Sequence, residues 1–339
     1  MDLQSLFWRR NKHKLIEYLY TYKKILIIST NSLGDAYLSC SAISSLKKKF
    51  GDVRIDFVVN RDCEFFLKYA EINNIYYIDN KSLKSFYKLI SRVNQIKYDY
   101  VFCFFPGKFN TLIYIFSNSI FKFGFINYRR LNEWHDISQF VCINYIKNEK
   151  LKWTPDMNFL ERIKLVLSAA GIEADNIMKY KFPIRELKFQ KNNSVLFCFS
   201  SRIANKSLSP DTATKIINYF LENENESIHI IDTENKLLNF NSHQKLIVYK
   251  ALNLKDLLEL VMRCNAFIGV DSFPIHIADA YGAKIIGLFA PTNPASVLQF
   301  DLNKYNIIKK KSIEDINLQD IIEANNNLKT IFQSTNENI

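Results

Sequence analysis

Short runs of apolar residues alternate along the chain with longer stretches in which apolar positions recur every three to four residues. This alternation is typical of a parallel α/β sheet, because each crossover between parallel strands needs a helix. The runs form one set in each half of the chain. The predicted strands span residues 25–29, 55–59, 75–78, 100–104, 195–199, 228–231, 266–270 and 285–289, and the predicted helices include 36–50 and 210–222.

A helix near the middle of the chain closes the first set of strands. Thr154 is a favourable N-cap, Pro155 suits the first helical position, and Gly171 ends the apolar pattern that follows. Residues 172–193 are then polar and mixed and include Pro183. This composition indicates an interdomain linker.

The length of 339 residues suits two domains. The pattern predicts two Rossmann-like halves of an α/β protein, a first domain over residues 1–180 and a second over 190–330. It leaves open whether the last helix packs back on the first domain.

Residues 2–20 do not belong to the strand–helix alternation, because apolar positions there flank a basic centre from Trp8 to Lys14. They predict an amphipathic helix, which either packs on the domain surface or contacts a membrane surface. The basic residues also interrupt the apolar core that a signal peptide needs, and no apolar stretch approaches the roughly 20 residues of a membrane-spanning helix. The expectation is a cytoplasmic protein, soluble or peripheral on the inner face of the membrane.

The charge balance is basic, with 45 Lys and Arg against 34 Asp and Glu and a net charge of +11. No helix-turn-helix, RNP or zinc-finger pattern accompanies these charges, so no nucleic-acid partner is predicted. The excess reflects a Lys-rich solvated surface or an attraction to anionic substrates or membranes. Six cysteines without any C-x-x-C pair argue against a zinc site or disulfide framework and fit a reducing cytoplasm.

The first segment with candidate chemistry is the loop of residues 29–35, between the first strand and its helix. Parallel sheets bind ligands over the carboxyl ends of their strands, where this loop would lie. Gly34 is expected to let the backbone turn sharply, and Asp35 to stand at the helix N-terminus. Asp35 is therefore either a reactive carboxylate or a helix cap. The G-K-[ST] ending of a Walker loop is missing.

The second segment, residues 269–280, again has the order strand, loop and helix. Asp271 ends the strand, Ser272 can cap the helix, and Pro274 suits the first helical turn. The amides at such a helix start can bind an anion such as a diphosphate. His276 would lie one turn inside the helix, either facing the ligand or satisfied within the core.

The third segment, residues 200–210, follows the first strand of the second half. Arg202 and Lys206 are natural counterions for a leaving phosphate, unless they are ordinary solvated loop charges. Further along, residues 291–294 form a rigid turn containing Thr292 at the same edge of the sheet.

These segments, in this order, resemble glycosyltransferase family 9, the ADP-heptose:lipopolysaccharide heptosyltransferases. The family's L-G-D, K-x-W-[SP]-P, D-[ST]-G-P-x-H and F-G-P-T-x-P motifs correspond here to residues 33–35, 206–210, 271–276 and 289–294. Each motif alone is weak, whereas four in register over most of the chain are specific.

The chain departs from these motifs at three positions. Leu208 replaces the tryptophan, Phe273 replaces the glycine of the phosphate-facing loop, and Ala290 replaces the next glycine. The Phe273 ring is expected to point into the sugar pocket, where it would favour a hexose or deoxysugar donor. The alternative is packing between its own strand and helix.

The resemblance implies a GT-B fold and inverting glycosyl transfer without a metal or cofactor. Asp35 would take the proton of the acceptor hydroxyl, while Lys206 and the amides of residues 272–276 would stabilise the leaving diphosphate. Asp271 would hold sugar hydroxyls. The implied donor-binding residues are Arg202, Asp271, Ser272, Phe273, Pro274, His276 and Thr292, and the implied acceptor-binding residues are Ser32, Leu33 and Gly34.

The implied partners are a nucleotide-diphosphate sugar, a glycolipid or glycan acceptor and the inner membrane surface. Three other functions stay open at this point. They are a protein-modifying glycosyltransferase, a nucleotide-sugar epimerase or hydrolase of the same fold, and a non-catalytic nucleotide-sugar-binding protein.

Overall fold

The computed structural model describes most of the chain in eight segments. These are residues 23–78, 82–105, 107–124, 157–182, 192–232, 243–250, 252–298 and 305–336. The amphipathic segment 2–20, the Thr154–Pro155 pair and Pro183 lie outside the described residues, so the predicted roles of segment 2–20 and of Pro183 stay predictions.

The first domain is built on a five-stranded sheet in the order β3-β2-β1-β4-β5, with every neighbouring pair parallel. Its strands are β1 (Lys23–Ser29), β2 (Val53–Asn60), β3 (Asn74–Ile78), β4 (Tyr98–Cys103) and β5 (Ser119–Gly124). Its helices are α1 (Leu33–Ser39), α2 (Ala42–Phe50), α3 (Glu64–Leu67), α4 (Leu83–Val93), α5 (Lys108–Phe116) and α6 (Phe159–Ala169).

The second domain has a six-stranded parallel sheet in the order β11-β10-β9-β6-β7-β8. Its strands are β6 (Ser194–Cys198), β7 (Ser227–Ile231), β8 (Leu246–Tyr249), β9 (Ala266–Val270), β10 (Lys284–Phe289) and β11 (Tyr305–Lys309). Its helices are α7 (Pro210–Asn223), α8 (Leu254–Arg263), α9 (Phe273–Ala280), α10 (Pro294–Val297) and α11 (Leu318–Asn336). The predicted α/β class with two parallel sheets is confirmed.

All eight predicted strands are present, within two residues of their expected ends. The strands that the sequence pattern missed are β5, β8 and β11, each at the edge of its sheet. Edge strands are half-exposed, so they lack the continuous apolar run that marks a strand buried on both faces.

The single helix expected over residues 36–50 is wrong, because the structure has two helices broken at Cys40 and Ser41. The backbone amides of these residues bond three residues back, to Tyr37 and Leu38. The Ser39 hydroxyl donates to the carbonyl of Asp35, four residues earlier. Such local bonds compete with the regular helix ladder and tighten it into a turn. The expected start of α6 at Thr154 and Pro155 is wrong, because this helix begins at Phe159, where the Asn158 side chain is the cap and accepts from the amide of Leu160.

Each sheet is covered by helices on both faces. On the first sheet, α4 and α5 cover the face of Leu26 and Ile28, and α1, α2 and α6 cover the opposite face. The buried residues of the latter face join those under α8 and α9 of the second domain in one apolar cluster. Helix α11 packs within the second domain, against β11, β10 and α7.

Residues 172–182, expected to be linker, contain neither helix nor strand but are anchored in the core. Ile172, Ala174 and Phe182 are buried, and the Phe182 amide donates to the Tyr281 hydroxyl of the second domain at 2.8 Å. This stretch therefore fixes one domain against the other. Among the described residues, no helix is both long enough and apolar enough to cross a membrane.

Candidate active site between the two sheets

The carboxyl edges of the two sheets face each other, and the predicted site segments lie in the loops between them. A Cβ atom on Gly34, at the start of α1, would lie 3.5 Å from Cδ2 of His276 on α9. The rings of Tyr37 and Phe273 approach across the same boundary, with centroids 6.0 Å apart. The structure thus brings the first and second predicted segments together.

Asp35 lies in the first turn of α1, but it is not the cap of that helix. Ser32 is the N-cap residue, and its hydroxyl accepts from the Asp35 amide at 3.1 Å. The carboxylate of Asp35 is therefore not needed to satisfy the helix start. The expected sharp turn at Gly34 is also wrong, because Gly34 lies inside the helix and is not among the glycines with positive φ. Because Gly34 has no side chain, the start of α1 leaves the space beside the His276 ring unfilled.

The electrostatic surroundings of Asp35 suit a proton acceptor. Burial raises the pKa of Asp35 to about 6, against the opposing effects of hydrogen bonds from Asn31 and Ser32 and of the positive charge of Arg162. A carboxylate with a pKa near 6 is ionised at neutral pH and still basic enough to accept a proton. The same burial lowers the pKa of the Arg162 guanidinium to about 10.

Two residues act on this carboxylate, Asn31 of the same loop through a hydrogen bond and Arg162 of α6 through its charge. Arg162 is buried on α6, where its Nε donates to the Met157 carbonyl at 3.2 Å and its guanidinium stacks over Phe159. Asn31 donates to the Phe105 carbonyl at 3.1 Å. Gly107 permits that position of Asn31, because a Cβ on Gly107 would lie 2.1 Å from Asn31 Oδ1.

His276 is buried and faces the first domain rather than its own sheet. Its Nδ1 lies 3.4 Å from Nζ of Lys179, and its ring packs near Phe159. Burial and the charges of Lys179 and Lys206 hold the pKa of His276 well below its usual range. The imidazole is therefore neutral, and its ring edge lies beside Gly34 at the base of the Asp35 loop.

Lys206 and Asp271, predicted from separate motifs, form an ion pair. Lys206 ends a short turn over residues 204–206 after β6, and Asp271 directly follows β9, the neighbouring strand. Both side chains are mostly buried. Arg202, in contrast, is exposed, and its charge acts on Cys63 of the first domain, where it opposes the larger effect of burial on the thiol pKa. Arg202 therefore lies at the boundary between the domains.

The start of helix α9 has no side-chain cap, contrary to the expectation for Ser272. The Ser272 hydroxyl instead donates to the Val270 carbonyl at 3.3 Å. Pro274 lies in the first helical turn as predicted and brings no amide hydrogen there. The Ile275 amide donates to the Ser272 carbonyl at 3.2 Å, so the amide of Phe273 is the first-turn donor that can serve an anionic ligand.

Phe273 occupies neither of the two places expected for it. Its ring crosses to the first domain and packs among Tyr37, Phe65 and Phe66, with centroid distances of 6.0, 6.2 and 6.0 Å. The aromatic rings of α1 and α3 supply an apolar surface on the facing domain, which residues 269–280 alone do not reveal. Phe273 is therefore an interdomain contact.

We expect Phe273→Ala to lower the free energy of unfolding by about 2 kcal/mol, because it removes a half-buried ring and its aromatic contacts. Donor preference should not change. Chemical denaturation and a competition assay between nucleotide sugars, on the same variant, measure both. Phe273→Leu, which keeps most of the apolar volume, is the matched control. Unchanged stability with altered donor preference would mean that the ring lies in the sugar pocket and is not an interdomain contact.

A buried ion pair between Lys179 and Asp279 joins the connecting segment to α9. Lys179 also donates to the Val297 carbonyl at 2.9 Å, and Asp279 accepts from the Tyr305 hydroxyl. Polar partners surround both buried charges, which is what their burial requires. Sequence reasoning missed this pair because Lys179 lies in a segment without periodicity.

The turn that contains Thr292 lies after β10, at the same sheet edge as Asp271. Lys309 holds it by donating to the carbonyls of Pro291 and Thr292 at 2.6 and 2.7 Å. Leu208 and Ala290, the other departures from the motifs, are buried in the core of the second domain. Within the described segments, no group of three His, Cys, Asp or Glu side chains is arranged to hold a metal ion.

Sequence comparison supports the motif assignment in the second domain. Residues 220–317 match the sequence model of glycosyltransferase family 9 (heptosyltransferase). No curated protein sequence matches the chain. The family match includes the Asp271–His276 segment and the following turn, so the predicted resemblance is confirmed.

Solved structures with the same fold span almost the whole chain. A family 9 glycosyltransferase from Veillonella parvula has a TM-score of 0.71 at 16% identity, over 92% of this chain and 98% of its own. E. coli ADP-heptose lps heptosyltransferase II has a TM-score of 0.69 at 16% identity, over 92% of this chain and 99% of its own. E. coli heptosyltransferase WaaC, solved with ADP-2-deoxy-2-fluoro heptose, has a TM-score of 0.68 at 12% identity, over 88% of this chain and 98% of its own. The chain therefore has the expected GT-B fold.

Proposed function

We propose that this chain is an inverting glycosyltransferase whose base is Asp35, and the match of residues 220–317 to the family 9 sequence model supports the proposal. It moves a sugar, a heptose or a related one, from a nucleotide-diphosphate sugar to a lipopolysaccharide or other surface-glycan acceptor. The observation that carries this proposal is the Asp35 carboxylate, which lies uncommitted to a helix cap at the boundary with the donor domain and has a pKa of about 6.

The acceptor side of the reaction belongs to the first domain. The acceptor hydroxyl lies over the loop of Ser32, Leu33 and Gly34, and Asp35 takes its proton as its oxygen attacks the anomeric carbon. Attack from the side opposite the leaving group inverts the configuration of that carbon. The neutral His276 beside Gly34 adds no positive charge that would lower the basicity of Asp35.

The donor side belongs to the loops after β6, β9 and β10. As the bond from the anomeric carbon to the diphosphate breaks, negative charge grows on the phosphate oxygens. Lys206 and the first-turn amides of α9 stabilise that charge, and Arg202 reaches it from the rim of the cleft. Asp271, held by Lys206, accepts hydrogen bonds from the sugar hydroxyls. In this scheme protein cations and helix amides do the work for which other transferases use a divalent metal.

The proposed acceptor is a glycolipid at the inner face of the cytoplasmic membrane, because the chain has a net charge of +11 and such acceptors are phosphorylated. A transfer assay tests the proposal. The purified chain is incubated with ADP-heptose and then other nucleotide sugars, with and without a deacylated glycolipid core. Acceptor-dependent release of the nucleoside diphosphate supports it. Release without acceptor would indicate a hydrolase, and conversion of the nucleotide sugar itself an epimerase.

The pH dependence tests the environment of the base. In the wild type we expect kcat/KM to rise as the pH rises through about 6, since only the ionised carboxylate accepts a proton. Arg162→Gln removes a charge that lowers the pKa of Asp35, so this acidic limb should move to higher pH. Arg162→Lys, which keeps the charge, should leave it near the wild-type position. Identical limbs in all three proteins would show that Arg162 does not act on the base.

A further inference from the structure

An apolar and basic surface covers the outside of the first domain, on the sheet face opposite α1, α2 and α6. Five large apolar side chains there are exposed, namely Leu83 and Tyr87 on α4, Leu112 and Phe116 on α5, and Ile120 on β5. On each helix the pair is four residues apart, so it lies on one side of that helix. We call this surface the α4–α5 face.

Aromatic contacts make the face continuous. The Phe86 ring lies 5.7 Å from Tyr87 and 5.8 Å from Phe116, and so joins the exposed residues of the two helices. At the C-terminal ends of the two helices, the Asn94 side chain links α4 to α5 by donating to the Phe116 carbonyl at 2.9 Å. Exposed apolar residues this closely grouped indicate a surface that binds something.

The exposed charges of residues 82–124, the part of this face that the structure describes, have one sign. Residues 82–124 contain the basic side chains Lys84, Lys88, Arg92, Lys97, Lys108 and Lys122 and a single acidic residue, Asp99. Asp99 is buried, where it accepts from the Lys24 amide. Lys84, Lys88 and Lys108 are exposed next to the apolar residues. A partner must therefore be anionic and must accept apolar side chains.

We propose that the α4–α5 face docks on an anionic lipid bilayer. Leucine and aromatic side chains inserted at the headgroup boundary, with lysines around them, are the combination that binds such a surface. A second copy of the face would bring like charges together. The N-terminal segment of the chain is also an unsuitable partner for this face, because Arg9, Arg10, Lys12 and Lys14 give it a positive charge like that of the face.

The α4–α5 face lies next to the Asp35 loop, so docking there would serve the proposed reaction. Helices α4 and α5 follow strands β3 and β4, so both begin at the sheet edge that carries the Asp35 loop. Gly107, the residue before α5, lies against Asn31 of that loop. A bilayer on this face would hold a lipid-linked acceptor next to the acceptor side of the cleft. This purpose rests on the proposed function, whereas the docking itself does not.

Co-sedimentation of the full chain with vesicles tests the docking. We expect binding to phosphatidylcholine vesicles that contain phosphatidylglycerol and little binding to phosphatidylcholine alone. Lys84→Glu with Lys88→Glu should lower the partition coefficient by about tenfold or more, and Tyr87→Ser with Phe116→Ser should do the same. The matched controls are Lys215→Glu with Lys250→Glu and Ile247→Ser, exposed positions of the second domain, which should bind like the wild type.

Several outcomes would overturn the proposal. Equal binding to both kinds of vesicle, or unchanged binding by both face variants, would do so. So would loss of binding on Arg9→Glu with Arg10→Glu while the face variants bind normally. The lysine variant changes only exposed side chains, so it keeps the test valid if the serine variant folds poorly. Transfer to a water-soluble acceptor should persist in all these proteins, which separates failure of docking from failure of the proposed reaction.

Discussion

Asp35→Asn is expected to lower kcat by at least about 100-fold, the usual effect of removing a positioned general base. Asparagine has nearly the same shape but cannot accept the proton of the acceptor hydroxyl. Because Ser32 caps α1 and the donor site lies on the other domain, nucleoside-diphosphate affinity should stay near the wild-type value. Steady-state kinetics and titration calorimetry on the same preparation measure both quantities.

The stability of this variant separates catalysis from structure. A carboxyl whose folded-state pKa is about 6, above its ordinary value of 3.8, favours the folded state when it is protonated. That contribution is complete below the ordinary value and is lost as the pH rises through about 6. At about pH 8 the neutral asparagine avoids the cost of a buried charge, so the melting temperature should not fall. A large fall, with activity per folded molecule retained, would mean that Asp35 is structural. Asp62→Asn, an exposed carboxylate nearby, is the control.

Lys206→Ala should weaken nucleoside-diphosphate binding by roughly 10- to 100-fold, since charge-assisted bonds to phosphate contribute about 1.5 to 3 kcal/mol. The loss has a second cause in this chain. Lys206 also neutralises the mostly buried Asp271, and without the lysine that carboxylate repels the phosphates. Calorimetric titration with ADP measures the change, and Lys215→Ala on the surface of α7 is the control.

A double variant distinguishes the two causes. Lys206→Ala combined with Asp271→Asn removes both the cation and the repelling carboxylate, so we expect it to bind ADP more tightly than Lys206→Ala alone. Equal affinity of the two variants would mean that Asp271 does not face the phosphates. A wild-type affinity for Lys206→Ala would remove the lysine from the donor site altogether.

Removal of divalent metal ions tests the same part of the scheme in the wild-type protein. If Lys206 and the α9 amides neutralise the leaving group, the transfer rate in EDTA should equal that in buffer. Loss of activity in EDTA, restored by Mg²⁺ or Mn²⁺, would contradict the metal-independent scheme.

The interior of the fold was predictable because buried parallel strands are apolar on both faces. Runs such as residues 266–270 have few other interpretations when helical patterns surround them. The edge strands β5, β8 and β11 were missed because half-exposed residues such as those of Ser119–Gly124 carry a weaker signal. The break between α1 and α2 arises from side-chain bonds of Ser39 and Cys40 to the helix backbone, which periodicity does not register.

The candidate site was predictable where it lies in loops that follow strands. Asp35, Lys206 and Asp271 each come shortly after a buried strand, and the topology of parallel sheets brings such positions to one edge. Arg162 and Lys179 were missed because they reach the site from α6 and from the connecting segment. Phe273 was misread because its contacts with Tyr37, Phe65 and Phe66 depend on how the two domains meet.

This chain is proposed to transfer a sugar in a single displacement at the boundary between its domains. The most direct measurement is the anomeric configuration of the transferred sugar, read from the NMR coupling constants of the product formed by the wild-type protein. We expect a configuration opposite to that of the nucleotide-sugar donor, with formation of this product nearly abolished in Asp35→Asn. A product that retains the donor configuration would contradict the assignment of Asp35 as the base of an inverting transfer.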